Sequence, residues 1–168
     1  MPPRHPRRLP SFDYIGFHRY FLTLCTESRR RYFTEAVIVE AVLRQMRTCT
    51  ADQGFGILAY CFMPDHLHLL VEGQREDADG RRFITLLRQR SGFACRPYCA
   101  NKLWQRFLYE RVLRGEEATI PVARYILENP VRGKLVARAE DYAWSGSDMY
   151  GIREILDAAG AWSPPTSR

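Results

Sequence analysis

Four residues stand at spacings that permit chemistry. His66 and His68 lie in the segment Met63-Pro64-Asp65-His66-Leu67-His68-Leu69-Leu70-Val71, one residue apart. In a strand, residues i and i+2 point to the same face, so the two imidazoles project side by side while Leu67 points into the opposite layer. Such a pair can hold one divalent ion. Imidazole suits manganese, iron and zinc and takes magnesium less readily, so the ligands alone leave the metal open.

A metal pair needs a third ligand and a reactive group, and the segment around Tyr125 and Asn129 offers both. Four residues apart on a helix is ~40° around its axis, which places the two side chains one above the other. They fall at the margin of the apolar arc formed by Ile120, Val122, Ala123, Ile126 and Leu127, where a side chain reaches the space between helix and sheet. A tyrosine hydroxyl, with an ordinary pKa of about 10, is a weak nucleophile that needs a proton acceptor or a cation beside it. The same residues also fit a blander reading of two half-buried histidines and a packed tyrosine, and spacing alone does not separate the two.

The surrounding pattern predicts the elements that must position these groups. Residues 19–26 are aromatic and β-branched and read as a strand, and residues 35–52 switch to helical spacing with Val39, Val42, Leu43 and Met46 on one face. Two apolar runs, 55–63 and 67–71, are broken by Pro64-Asp65, which predicts adjacent antiparallel strands joined tightly. A polar loop over 72–82 leads to a helix carrying Phe83, Leu86, Leu87 and Arg90. A fourth strand lies within 103–113, and a last helix over 117–129 is stopped by Pro130. Pro121 fits that helix only in its first turn. The order β-α-β-β-α-β-α predicts an α+β fold, a ferredoxin-like or RRM-like antiparallel sheet with helices on one face and an additional C-terminal helix carrying the tyrosine.

Length and composition bound the rest. A chain of 168 residues fits one domain, expected as a basic flexible arm over 1–15, the main domain over 16–150 and a C-terminal tail over 151–168. No apolar run approaches the ~18 residues that a membrane helix requires. Of the 25 basic residues only Lys102 and Lys134 are lysine, so the net charge of +6 is carried almost wholly by arginine, whose planar fork matches phosphate oxygens. That balance predicts a polyanionic partner, although the arginine-for-lysine bias of a GC-rich genome would give the same count. Five cysteines, with no C-x-x-C pair, point to a reducing cytoplasm. Cys95 and Cys99 can share a metal if helical, but small buried hydrophobes are the commoner role.

Four strings together resemble one family, the single-tyrosine HUH transposases, and within it the REP-associated tyrosine transposases. They are residues 63–71 quoted above, Leu103-Trp104-Gln105-Arg106, Arg124-Tyr125-Ile126-Leu127-Glu128-Asn129-Pro130-Val131-Arg132, and Asp141-Tyr142-Ala143-Trp144-Ser145. The resemblance spans roughly residues 10–150. It implies that His66 and His68 bind the metal with Asn129, that Tyr125 is the nucleophile, and that the cofactor is Mg²⁺ or Mn²⁺. It further implies cleavage and rejoining of single-stranded DNA at hairpins of repetitive palindromes through a 5′-phosphotyrosine intermediate.

On that reading the arginines supply phosphate contacts, among them Arg29, Arg30, Arg31, Arg88, Arg106, Arg111 and Arg132, and Trp104 stacks on an unpaired base. The acidic loop with Glu72, Glu76, Asp77 and Asp79 is expected to face away from the DNA. The partner is single-stranded or hairpin DNA, a monomer and a homodimer both fit, and the setting is the cytoplasm beside the nucleoid. Two other readings use the same residues: a hairpin-binding protein without catalysis, and an unrelated H-x-H metal hydrolase.

Overall fold

The computed structural model describes residues 11–115 and 119–158. In chain order the elements are β1 (Arg19–Cys25), α1 (Ala36–Gln53), β2 (Phe55–Met63), β3 (His66–Gly73), α2 (Gly80–Ala94), β4 (Tyr109–Leu113), α3 (Thr119–Leu127), α4 (Asn129–Arg132), β5 (Ser145–Gly146) and α5 (Ile152–Asp157). Among the described residues the strands form one antiparallel sheet in the order β4-β1-β3-β2-β5. The expected α+β order is present, with β5 as an added edge. Two residues are too few to give a periodic signal, and β5 exists because the backbone of 144–146 pairs with β2, Phe62 N–H donating to the Trp144 carbonyl at 2.8 Å.

Helices cover both faces of the sheet, which is why β2 and β3 read as continuous apolar runs: all nine residues of β2 are buried. Along β1 and β3, Tyr20, Leu22, Leu24, Leu67, Leu69 and Val71 point to one side and pack on Val39, Val42 and Met46 of α1 and on Phe83 and Leu87 of α2. Phe21 and Leu70 point to the other side, where Val122, Ala123, Ile126 and Leu127 of α3 and Ile155 of α5 cover them. A bulge between Ile57 and Ala59 lets Leu58 and Ala59 both serve that second core. Among the described residues no helix is long and apolar enough to cross a membrane.

Pro64 and Asp65 form the two-residue turn between β2 and β3, with Met63 opposite His66. Thr26 fixes this turn by donating its N–H and its hydroxyl to the Asp65 carbonyl, each at 3.0 Å, and Phe33 N–H donates to the Pro64 carbonyl at 3.0 Å. Pro121 sits in the first turn of α3, where its missing N–H has no intrahelical partner to lose. The expected single helix through Asn129 is instead two: α3 ends at Leu127, and Asn129 opens α4 immediately before Pro130. A residue that precedes proline is disfavoured in a helix interior, which accounts for the break.

The described parts of both terminal segments, residues 11–15 and 151–158, are more built in than composition suggested. Residues 1–10 lie outside the described residues, but Tyr14 is buried, its ring stacks on Tyr20 at 5.9 Å, and Ile15 bridges Asp79. The aromatic side chains of residues 12–14 thus join the core, so the arm does not extend to residue 15. Likewise residues 152–157 of the expected tail form α5, whose Ile155 is fully buried beside α3.

Candidate active site

His66, His68 and Leu70 share the α3-facing side of β3. The two imidazole centroids are 4.7 Å apart with planes at 82°. His68 is 8% exposed, set between Thr23 of β1 and Cys61 of β2, and its Nδ1 lies 2.9 Å from the Thr23 hydroxyl. His66 is set between Cys25 and Met63, and its Nδ1 lies 2.7 Å from Asp65 Oδ1. Each ring therefore has Nδ1 engaged and Nε2 left for a ligand. Burial pushes the His68 pKa down to about 3, helped by the neighbouring His66. Burial also lowers His66, against the opposing pull of Asp65. Both shifts favour the neutral imidazole, the form that binds a metal ion.

Asp65 is shared. Its Oδ2 pairs with Arg29 Nε at 2.9 Å, and the same guanidinium contacts Cys25 Sγ at 2.7 Å. The chain reaches this arrangement through two consecutive left-handed residues, Ser28 with φ 53° and Arg29 with φ 54°. Each costs a side-chain-bearing residue roughly 1 kcal/mol or more. What the bend achieves is to fold Arg29 back over the turn that carries the histidines.

Tyr125 on α3 lies over the same face. Its ring meets Phe21 edge-on at 6.4 Å and His68 at 6.3 Å, and the Arg132 guanidinium sits 4.1 Å from its centroid. A cation at that distance over a ring is held by its quadrupole. Arg132 also donates to the Tyr125 carbonyl, as does the Asn129 amide at 3.1 Å. These bonds take up a carbonyl that the helix break leaves unpaired.

Among the described residues no three His, Cys, Asp or Glu side chains cluster as a metal site. The donors that the structure brings together on this face are thus the two imidazoles, while Asn129 lies at the helix break with its side chain on the Tyr125 carbonyl. Few protein ligands leave positions for water and substrate oxygens, and this fits a divalent ion that acts on phosphate.

The remaining expected DNA contacts divide. Arg30 and Arg31 are exposed on the segment that follows Arg29. Arg111 stands opposite Phe21 in the β1/β4 register and so shares the histidine-bearing face. Arg106 is exposed, its guanidinium 5.3 Å from the Phe107 ring centroid. Arg88 is turned inward, donating to the carbonyls of Gln105 and Arg106. Trp104 departs from expectation. It is 7% exposed, packs on Phe33 at 5.7 Å and donates its indole N–H to Ser91 at 2.8 Å, so it belongs to the core and presents no face to a base. Cys95 is likewise buried, its thiol pushed up to about 12 by burial, as a small hydrophobe would be. The acidic loop begins at the end of β3 opposite His66, about 20 Å away at 3.3 Å per residue. Asp79 of that loop caps α2, accepting from the N–H groups of Arg81 and Arg82.

A pair of histidines on a central strand thus faces a tyrosine on the helix packed above it. The family model described as "Transposase IS200 like" matches residues 17–128, and the chain belongs to that family of transposases, enzymes that act on DNA. More particularly, it is 27% identical over 146 residues to a Haemophilus influenzae protein provisionally named REP-associated tyrosine transposase, a match covering 79% of this chain and 81% of that one. Its fold is shared with the solved structure of a REP-associated tyrosine transposase bound to a REP hairpin, with a TM-score of 0.75, 19% identity and 96% of each chain covered.

Proposed function

We propose that this transposase cleaves and rejoins single-stranded DNA at hairpin-forming palindromic sequences, with Tyr125 as nucleophile and His66, His68 and Asn129 as ligands of Mg²⁺ or Mn²⁺. The observation that carries the reading is the 6.3 Å approach of the Tyr125 ring to the His68 imidazole across the gap between α3 and β3. The relatives named for REP transposition, one of them solved with a REP hairpin, support the choice of DNA.

Tyr125 Oη attacks the scissile phosphorus and gives up its proton, the P–O3′ bond breaks, the upstream fragment leaves as a 3′-hydroxyl after its oxygen takes up a proton, and the downstream fragment stays joined to the tyrosine through its 5′-phosphate. Because the ester keeps the bond, a second 3′-hydroxyl can displace the tyrosine without ATP. A bound divalent ion would polarise the non-bridging oxygens and stabilise the charge that develops on them. Burial favours the neutral form of His66 and His68, the form that ligates. Arg132 holds the Tyr125 ring, and Arg111, on the same face, is placed to meet the backbone of the strand. The setting we assign is the cytoplasm, beside chromosomal DNA.

The test is a panel of labelled single-stranded hairpins with Mn²⁺. The reading expects a denaturation-resistant protein–DNA complex that EDTA prevents, followed by transfer to an added 3′-hydroxyl strand. Hairpins bound tightly but left uncut would favour a binding protein instead. Metal-dependent hydrolysis of a small phosphate ester that survives Tyr125→Phe would favour a hydrolase.

A further inference from the structure

Asp65 performs no step in the chemistry above, yet both its carboxylate oxygens are committed to side chains. Oδ1 meets His66 Nδ1 at 2.7 Å and Oδ2 meets Arg29 Nε at 2.9 Å. A turn-forming aspartate ordinarily bonds its own backbone two residues on. Here the backbone of the turn is held by Thr26 and Phe33, which leaves the carboxylate for another task.

That task follows from donor and acceptor counts. An ionised carboxylate only accepts, so the proton in the 2.7 Å bond belongs to His66 Nδ1, and the unprotonated nitrogen of that ring is Nε2. His68 differs, because the Thr23 hydroxyl can donate or accept and dictates no tautomer. Only one histidine of the pair therefore has its metal-binding nitrogen chosen by a neighbour. Arg29, purely a donor, anchors the other oxygen of the carboxylate, and the left-handed bend at Ser28 and Arg29 brings it there.

We propose that Asp65 is a positioning residue: held by Arg29, it fixes the orientation of His66 and the Nδ1–H tautomer, so that Nε2 is the nitrogen offered to a divalent cation. This rests on the metal reading of the histidine pair. It makes an unusual prediction about the ranking of two substitutions. In Asp65→Asn, Arg29 claims the amide oxygen, so the NH₂ turns to His66, donates to Nδ1 and forces the proton onto Nε2. The metal-binding lone pair is then lost. In Asp65→Ala the ring is merely released and can still adopt the binding tautomer. The near-isosteric Asn should therefore be the more damaging change, the reverse of what a role in shaping the turn would give.

The experiment measures Mn²⁺ binding to the full-length protein without DNA, by the paramagnetic resonance signal of free Mn²⁺, for wild type, Asp65→Asn and Asp65→Ala. Histidine tautomers are read in parallel from ¹⁵N chemical shifts of the metal-free proteins, and thermal melts confirm folding. Expected are an Nδ1–H His66 in wild type and an Nε2–H His66 in the Asn variant. Mn²⁺ affinity should fall about 10–100-fold in the Asn variant and by less in the Ala variant. An Nε2–H His66 in wild type would overturn the proposal, as would an Asn variant that binds Mn²⁺ within twofold of wild type or better than the Ala variant does. A wild type that binds no Mn²⁺ would remove the metal reading itself, a separate result that also ends the role given to Asp65. Should Asp65→Asn fail to fold, the His66 tautomer in wild type, and its loss in Asp65→Ala, decide the matter.

Discussion

The two faces of the sheet are built from the same strands by opposite rules. On the α1/α2 side the inward positions of β3 are aliphatic, Leu67, Leu69 and Val71, and the layer closes over Phe83, Leu87 and Met46. On the α3 side, positions 66 and 68 of the same strand are histidines, the second of them buried, and the covering helix contributes Tyr125 beside Ile126. The first face holds the strands together. The second accepts the cost of burying polar rings, offset by one hydrogen bond to each Nδ1, and gains a site whose parts are locked in place. The period of two along β3 lets one strand serve both at once, and a slip of one residue in register would bury the wrong set.

The contrast can be broken most completely on the α3 side. Tyr125→Phe deletes one oxygen from a half-buried ring, so stability should move by less than about 1 kcal/mol while strand cleavage falls by 10³ or more, with hairpin affinity retained in a gel-shift assay. On the other face, Phe83→Ala empties a fully buried aromatic site and should cost about 3–5 kcal/mol in denaturant unfolding. Its activity at low temperature should survive in whatever fraction remains folded.

Next in size is pH. His68 has a folded pKa of about 3 against an ordinary 6.5, so the unfolded chain takes up its proton first. The stability it permits is complete above about pH 6.5 and drains away as pH falls towards 3, at roughly 1.4 kcal/mol per pH unit. His66 is shifted in the same direction. Guanidinium midpoints should drop between pH 7 and pH 4, and His68→Gln should flatten that slope. The smallest effect expected is at Arg132. Loss of its contact over the Tyr125 ring in Arg132→Ala should slow cleavage about 3–10-fold, in line with a cation–π energy of about 1 kcal/mol. An equal loss in hairpin affinity, with kcat unchanged, would make Arg132 a phosphate contact instead.

The sequence carried much of this because its strongest signals are local. The Pro64-Asp65 turn, the alternation of His66, Leu67 and His68, and the placing of Pro121 in a first turn each depend on neighbours in the chain. What escaped depends on register or on distant packing. Thr23 meets His68 only because β1 and β3 pair at that offset, and no local pattern marks it. Trp104 sits in an aromatic stretch that composition cannot assign to core or surface, and its bond to Ser91 decides the matter. Asp65 was in plain view inside the histidine motif, but its partner Arg29 lies 36 residues earlier and reaches it through a bend that no propensity favours.

The most direct measurement is to trap the covalent complex formed between the wild-type protein and a cleavable single-stranded hairpin with Mn²⁺, digest it, and locate the nucleotide by mass spectrometry. With Tyr125 as nucleophile, a 5′-phosphonucleotide is expected on its phenolic oxygen, with Tyr109 and Tyr142 unmodified. A nucleotide on any other residue, or cleavage that leaves no protein-bound phosphate at all, would contradict it.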